Sequence, residues 1–164
     1  MTSGEIPLTT DLIAIAGLGV TLAGFSGLVA AFRHSGQWKP LDTYRLVQIP
    51  EMGLSTAVIA LATIPLAETT GSGRTAIQWA SAAALLFTLV HVMVLVVRAR
   101  SMGIRLPLWG VIGAAVIDIA TLGTAAFSLT LGSLAAYEWL LLLLLARPML
   151  AFVLVMSDMP AEAE

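Results

Sequence analysis

A single carboxylate stands in the middle of a long apolar stretch, Leu108–Leu129, whose sequence is LWGVIGAAVIDIATLGTAAFSL. The acid is Asp118. A run of this length can cross a bilayer, so Asp118 is expected near the middle of the hydrocarbon. An acid at that depth costs on the order of 2.5–3.5 kcal/mol on insertion scales. It therefore needs a partner, a bound proton or a water-lined cavity.

The expected partner of Asp118 is Arg147. It is the only basic residue in the middle of another apolar run, Leu134–Met156, and its depth roughly matches that of Asp118. The two runs are adjacent in sequence and antiparallel, and Asp118 shares a small, polar helix face with Thr121 and Ala125. Three interpretations stay open: an internal lock, a step on an ion or proton path, or an arginine that reaches toward a lipid headgroup.

A second polar pair is expected between Glu51 and His91. Glu51 lines up with Gln48 and Ser55, and His91 follows Thr88 along one face of its helix, so both side chains are expected to face inward. An imidazole beside a carboxylate can act as a group that titrates near neutral pH. The alternative is that each side chain only forms a hydrogen bond within the bundle.

The residue types in this chain do not favour a metal site, a haem site or a catalytic serine. The chain has no cysteine and only two histidines, His34 and His91, without the spacing of a metal site such as H-E-x-x-H. A haem held by both histidines is disfavoured, because His34 follows Arg33 at the membrane surface and His91 lies deeper. The serine-nucleophile motif G-x-S-x-G is absent. We therefore expect no catalytic residue, no metal and no cofactor, and we expect that the protein is not an enzyme.

The elements that must position these residues are membrane helices. Hydrophobic residues make up 59% of the 164-residue chain and charged residues 11%, against roughly a quarter charged in soluble domains. A net charge of −2 gives no reason to expect nucleic-acid binding. The sequence predicts an all-α polytopic bundle in which residues 1–164 form one transmembrane domain. Its five spans are about Leu12–Phe32, Leu46–Ala67, Ala76–Val97, Leu108–Leu129 and Leu134–Met156.

The connections between spans predict the orientation. Two connections on the same side of the membrane carry nearly all the loop arginines and lysines, namely Arg33, Lys39 and Arg45 in one and Arg98, Arg100 and Arg105 in the other. The positive-inside rule then places the N-terminus outside and the C-terminus in the cytoplasm. The aromatic residues fit this layout, because all four tryptophans and both tyrosines fall near predicted membrane interfaces. The short segment Thr130–Ser133 is expected to be a turn between two spans.

Residues Gly17–Ala67 resemble a group of small, uncharacterised bacterial multi-span integral membrane proteins. The resemblance lies in TLAGFSGLVAAFR, in QWKPLDTYRL and in a second span that ends in ATIPLA. Those proteins combine a glycine-rich first helix with a basic, Trp-containing loop. The resemblance implies a bacterial inner membrane and supplies no catalytic or binding residue.

The first helix carries a ridge of small residues at a spacing of four: Gly19, Ala23, Gly27 and Ala31. Such a ridge lets another helix approach closely, either within the chain or between copies. Together these patterns predict a channel or transporter for ions or protons, surrounded by membrane lipids and acting as a homo-oligomer. The alternative is a structural or accessory membrane protein whose buried ionisable residues only lock the bundle. The sequence identifies no soluble partner.

Overall fold

Five α-helices account for the fold. The computed structural model describes residues 5–32, 40–104 and 107–157, of which 94% are helical, with no strand among them. The helices are α1 (Glu5–Phe32), α2 (Pro40–Thr70), α3 (Gly73–Ser101), α4 (Leu108–Leu131) and α5 (Leu134–Ser157).

All five helices are long and apolar enough to cross a membrane, with mean hydropathies between 1.5 and 2.4. The predicted all-helical fold, with five helices long and apolar enough to span a membrane, is therefore confirmed. Helices α2 and α3 exceed their predicted spans, and at 1.5 Å per residue each is over 40 Å long. The extra turns carry polar residues that extend each helix beyond its apolar span. The turn at the start of α2 holds Asp42 and Arg45, and both side chains are buried in the bundle.

Helices α2 to α5 form an up-and-down ring in which each helix packs on the next and α5 closes back on α2. Helix α1 lies outside this ring, mainly against α2 and to a lesser extent against α5. The antiparallel order creates two ends. The α3–α4 end holds the start of α2, the α3–α4 connection and the end of α5. The α4–α5 end holds the α2–α3 and α4–α5 turns.

The two turns at the α4–α5 end are short, and each contains a glycine in the left-handed conformation. Gly71 adopts a left-handed conformation, and the Ser72 side chain then caps α3 by accepting from the Thr75 backbone N–H at 3.3 Å. Gly132, at φ +60°, ends α4 in the same conformation, which glycine adopts at no steric cost. The predicted turn between the last two spans is therefore present, but it comprises only Gly132 and Ser133, because α4 continues through Leu131. A side chain at Gly132 would also meet Arg74.

Only part of the small-residue ridge of α1 packs against α2. Gly19 faces Gly53 of α2 so closely that a Cβ on either residue would collide with the carbonyl oxygen of the other. Ala23 continues this contact, since its backbone nitrogen lies 3.6 Å from the Cβ position of Gly53. Gly27 has open space around it, and Ala31 is exposed. The first half of the ridge therefore packs within the chain.

The aromatic residues divide into two groups that the sequence did not separate. Trp79, Trp109 and Trp139 are exposed, as expected for residues at a membrane interface. Tyr44 and Tyr137 are instead buried, so these two tyrosines face the bundle interior. Their hydroxyls find partners inside the bundle: Tyr44 donates to the Leu95 carbonyl at 3.3 Å, and Tyr137 bonds to Thr63 at 2.6 Å.

Candidate functional site

Asp118 of α4 and Arg147 of α5 lie together inside the bundle. Arg147 Nη2 is 3.5 Å from Asp118 Oδ2, and the two side chains are only 12% and 17% exposed. Each residue lies ten positions from the helix terminus at the α3–α4 end, Leu108 for α4 and Ser157 for α5. This corresponds to a depth of about 15 Å, which is close to the middle of a bilayer.

The ion pair lines the inner part of a cavity of about 240 Å³ to which all four ring helices contribute. Along α4 the cavity wall runs from Pro107 at the α3–α4 end to Asp118, a rise of about 16 Å. The opposite wall carries Tyr44, Arg45 and Gln48 of α2. Most of the remaining lining is aliphatic: Val92, Leu95, Val96, Ala99, Val111, Ala114, Ala115, Leu150, Ala151 and Leu154.

The arginine of the pair retains hydrogen-bonding capacity. Its Nε is buried and forms no hydrogen bond with any described residue. The 3.5 Å contact with Asp118 is also longer than the 2.7–2.9 Å typical of charge-assisted hydrogen bonds. Arg45, the second cation of the cavity, donates from Nη1 to the Leu154 carbonyl at 3.3 Å. The lining residues thus include two cations and one carboxylate.

Beyond the ion pair, toward the α4–α5 end, the bundle is packed. Leu140, Leu141 and Leu144 of α5 are at most 1% exposed and belong to the main core cluster with Ala84 of α3 and Ala125 of α4. Helices α3 and α4 are joined in this region by a buried hydrogen bond from the Ser81 hydroxyl to the Ser128 hydroxyl at 2.8 Å. The cavity therefore extends through one half of the bundle only.

The predicted Glu51–His91 pair is replaced by a different one. Glu51 accepts a hydrogen bond from Arg98 Nη1 at 3.3 Å, which joins α2 to α3. The sequence assigned Arg98 to the loop, but α3 continues to Ser101, and the long arginine side chain reaches Glu51. His91 is buried, its ring stacks on Phe87 at a centroid distance of 5.5 Å, and its Nε2 has no hydrogen-bond partner among the described residues.

His91 nevertheless lies at the level of the ion pair. The Ser81–Ser128 bond sets the antiparallel register of α3 and α4. Ten residues onward along α3 is His91, and ten residues back along α4 is Asp118. Glu51 and Arg147 are also close enough to His91 to interact with it electrostatically. The four ionisable residues singled out in the sequence thus gather in one layer, where Asp118 and Arg147 are paired as predicted and Glu51 and His91 are not.

No protein-family model, no curated protein and no solved structure matches this chain. The site must therefore be interpreted from its own geometry.

Two site residues, Tyr44 and Arg45, were missed in the sequence. Tyr44, Arg45 and Gln48 line the cavity, but the second span was expected to begin at Leu46, which left Tyr44 and Arg45 in a loop. Their signal was available: Tyr44, Gln48 and Met52 recur at a spacing of four, which predicts one buried helix face. All three are buried in the structure.

Some predictions concern residues that lie outside the described part of the chain, namely Arg33, His34, Trp38, Lys39 and Arg105. Among residues 5–32, 40–104 and 107–157, no group of three His, Asp or Glu side chains is arranged to hold a metal ion.

Proposed function

We propose that this protein is a small transporter for ions in a bacterial inner membrane, with Asp118 and Arg147 as its central site. The observation that carries the proposal is a cavity that runs about 16 Å from one end of the bundle and stops at this buried ion pair. Ionisable residues inside membranes typically mark substrate, ion or proton paths. A half-cavity closed by a packed core favours a carrier with alternating access over a continuously open channel.

The orientation follows from the charges at the helix ends. Among the described arginines outside the ion pair, Arg98, Arg100 and Arg45 lie toward the α3–α4 end and Arg74 toward the other end. The positive-inside rule favours a cytoplasmic α3–α4 end, so the cavity would open to the cytoplasm. The cavity lies within a single chain, so transport in this proposal does not require a pore between copies. Homo-oligomerisation stays a prediction.

The alternative function is a structural or accessory membrane protein, and one observation favours it. Two ion pairs join neighbouring helices of the ring: Asp118–Arg147 joins α4 to α5, and Glu51–Arg98 joins α2 to α3. In that case the charges would only fix which helices pack together. Removing both partners of a pair distinguishes the two functions, because a neutral pair can preserve the fold but cannot carry an ion.

The test is flux in reconstituted liposomes. Wild type, Asp118→Asn, the double variant Asp118→Asn/Arg147→Gln and the control Arg100→Gln would be compared under ion, proton and potential gradients. We expect flux in wild type and Arg100→Gln, and none in the folded double variant. A folded double variant with wild-type flux would contradict the proposal, as would a wild type that shows no flux under any gradient.

A further inference from the structure

The ion pair of Glu51 and Arg98 is open to the outside of the bundle. Its side chains are 40% and 35% exposed, against 17% and 12% for Asp118 and Arg147. Neither Glu51 nor Arg98 lines the cavity between the ring helices. Their exposed area therefore lies on the outer surface, where α2 and α3 meet.

The depth of Glu51 makes this exposure costly. Glu51 is close enough to His91 to interact with it electrostatically, and His91 lies at the level of Asp118, about 15 Å from the α3–α4 end. Ionisable residues at such a depth almost always face other helices or a water-filled cavity. In an isolated chain, part of this ion pair would instead face lipid.

The residues around the ion pair continue the same open surface. On α3, Val90 and Val94 precede Arg98 at a spacing of four, and on α2 Val58 lies seven positions after Glu51, so each valine shares a helix face with its charged neighbour. Val58, Val90 and Val94 are 65%, 52% and 42% exposed. Among the described helices, α1 contacts only α2 and α5, so it leaves this surface uncovered. We call these five residues the α2–α3 face.

A twofold axis makes the α2–α3 face complementary to itself. Glu51 lies on α2 and Arg98 on α3, so the face carries a negative charge on one side and a positive charge on the other. Rotating a second copy by 180° about the membrane normal places its α3 opposite the α2 of the first copy. The Glu51 of each copy then meets the Arg98 of the other, as in the isologous interfaces of most homodimers.

We propose that the α2–α3 face is the interface of a homodimer whose two copies have the same orientation in the membrane. Glu51 and Arg98 pair across the twofold axis as well as within each chain, and the partner copy shields both charges from lipid. Polar contacts between helices stabilise such association in membranes. The open part of the α1 ridge around Gly27 presents small residues without charges, so it offers no comparable complementarity. The cavity lies within each chain, so this interface does not depend on the proposed transport function.

Charge reversal distinguishes pairing between chains from pairing within one chain. Glu51→Arg and Arg98→Glu each give the α2–α3 face charges of one sign, so neither variant should dimerise with itself. When the two variants are co-expressed with different affinity tags, every charge in the mixed dimer meets an opposite charge across the interface. We expect the mixed dimer to be recovered about tenfold more than either variant with itself, since like charges across an interface strongly disfavour association. Arg100→Glu, which changes an exposed arginine of the same helix, should self-associate like wild type. Equal recovery of the mixed and self-paired variants would overturn the proposal.

Cysteine crosslinking tests the same face without changing its charges, and it applies even if a charge-reversed variant fails to fold. Single-cysteine variants are reconstituted in liposomes at a low protein-to-lipid ratio and treated with a short bifunctional maleimide. Val90→Cys should give crosslinked dimers. Ile119→Cys is the depth-matched control, because Ile119 follows Asp118 and is 70% exposed on α4. Gly27→Cys tests the open part of the α1 ridge. The proposal would be overturned if either control crosslinked as well as Val90→Cys, or if none of the three variants gave dimers.

Discussion

A double-mutant cycle on Asp118 and Arg147 measures what this contact contributes to stability. At 3.5 Å and an effective dielectric constant of about 20, the attraction between the two charges is about 5 kcal/mol before desolvation is subtracted. Both side chains are more than four-fifths buried, so desolvation removes a large part of this attraction. We expect Asp118→Asn or Arg147→Gln alone to destabilise the protein by about 3–5 kcal/mol, because each leaves one buried charge unpaired.

The double variant should recover much of this loss, since neither charge is left without its partner. The coupling free energy is therefore expected to exceed about 3 kcal/mol, measured by reversible unfolding in mixed micelles and monitored by circular dichroism. A cycle of Asp118→Asn with Arg100→Gln is the control and should give additive effects, because Arg100 is an exposed residue at the helix end. A coupling within about 0.5 kcal/mol of zero for Asp118 and Arg147 would refute the buried ion pair.

Other predictions concern the helix contacts around the site. Gly19→Ala should destabilise the protein by about 1–3 kcal/mol in the same unfolding assay, since its Cβ would collide with α2. Gly27→Ala should be neutral or slightly stabilising, because the space around Gly27 is open. Equal effects of the two changes would contradict the described α1–α2 packing. Tyr137→Phe removes the hydroxyl bonded to Thr63 at 2.6 Å and should cost about 1 kcal/mol, and an unchanged midpoint would argue against that bond. Gly132→Ala should lower the midpoint through strain at φ +60°, and unchanged stability would contradict this turn conformation.

The number and type of the helices could be predicted because hydropathy is a sum over many residues. Each run of about twenty apolar residues must be helical in lipid, whatever its neighbours are. The antiparallel order of α4 and α5 follows from the short turn at Gly132, and it predicts that Asp118 and Arg147 lie at matching depth, as their contact in the structure confirms. The helix count and the matching depth of the two residues depend only on span length and on the order of the spans.

The pairing of Glu51 could not be predicted in the same way. Several polar side chains face the bundle interior, and the choice among them depends on helix rotation and on how far a side chain reaches. Arg98 was assigned to a loop, yet α3 continues past it and its guanidinium reaches Glu51. The cavity also escaped prediction, because an unfilled volume depends on the packing of all four ring helices at once. Its lining by Tyr44 and Arg45 depends on where α2 begins.

Cysteine accessibility tests most directly whether an aqueous path reaches Asp118 from one side and stops there. The chain contains no native cysteine, so each single-cysteine variant has only one thiol that can react. Ala114 lines the cavity one turn before Asp118, and Ala125 lies on the same face of α4 but is fully buried in the packed half. With a charged, membrane-impermeant thiol reagent, Ala114→Cys should react from the cytoplasmic side at least tenfold faster than Ala125→Cys. Equal rates at the two positions, or reaction of Ala114→Cys only from the outside, would contradict a cytoplasmic half-cavity that ends at the ion pair.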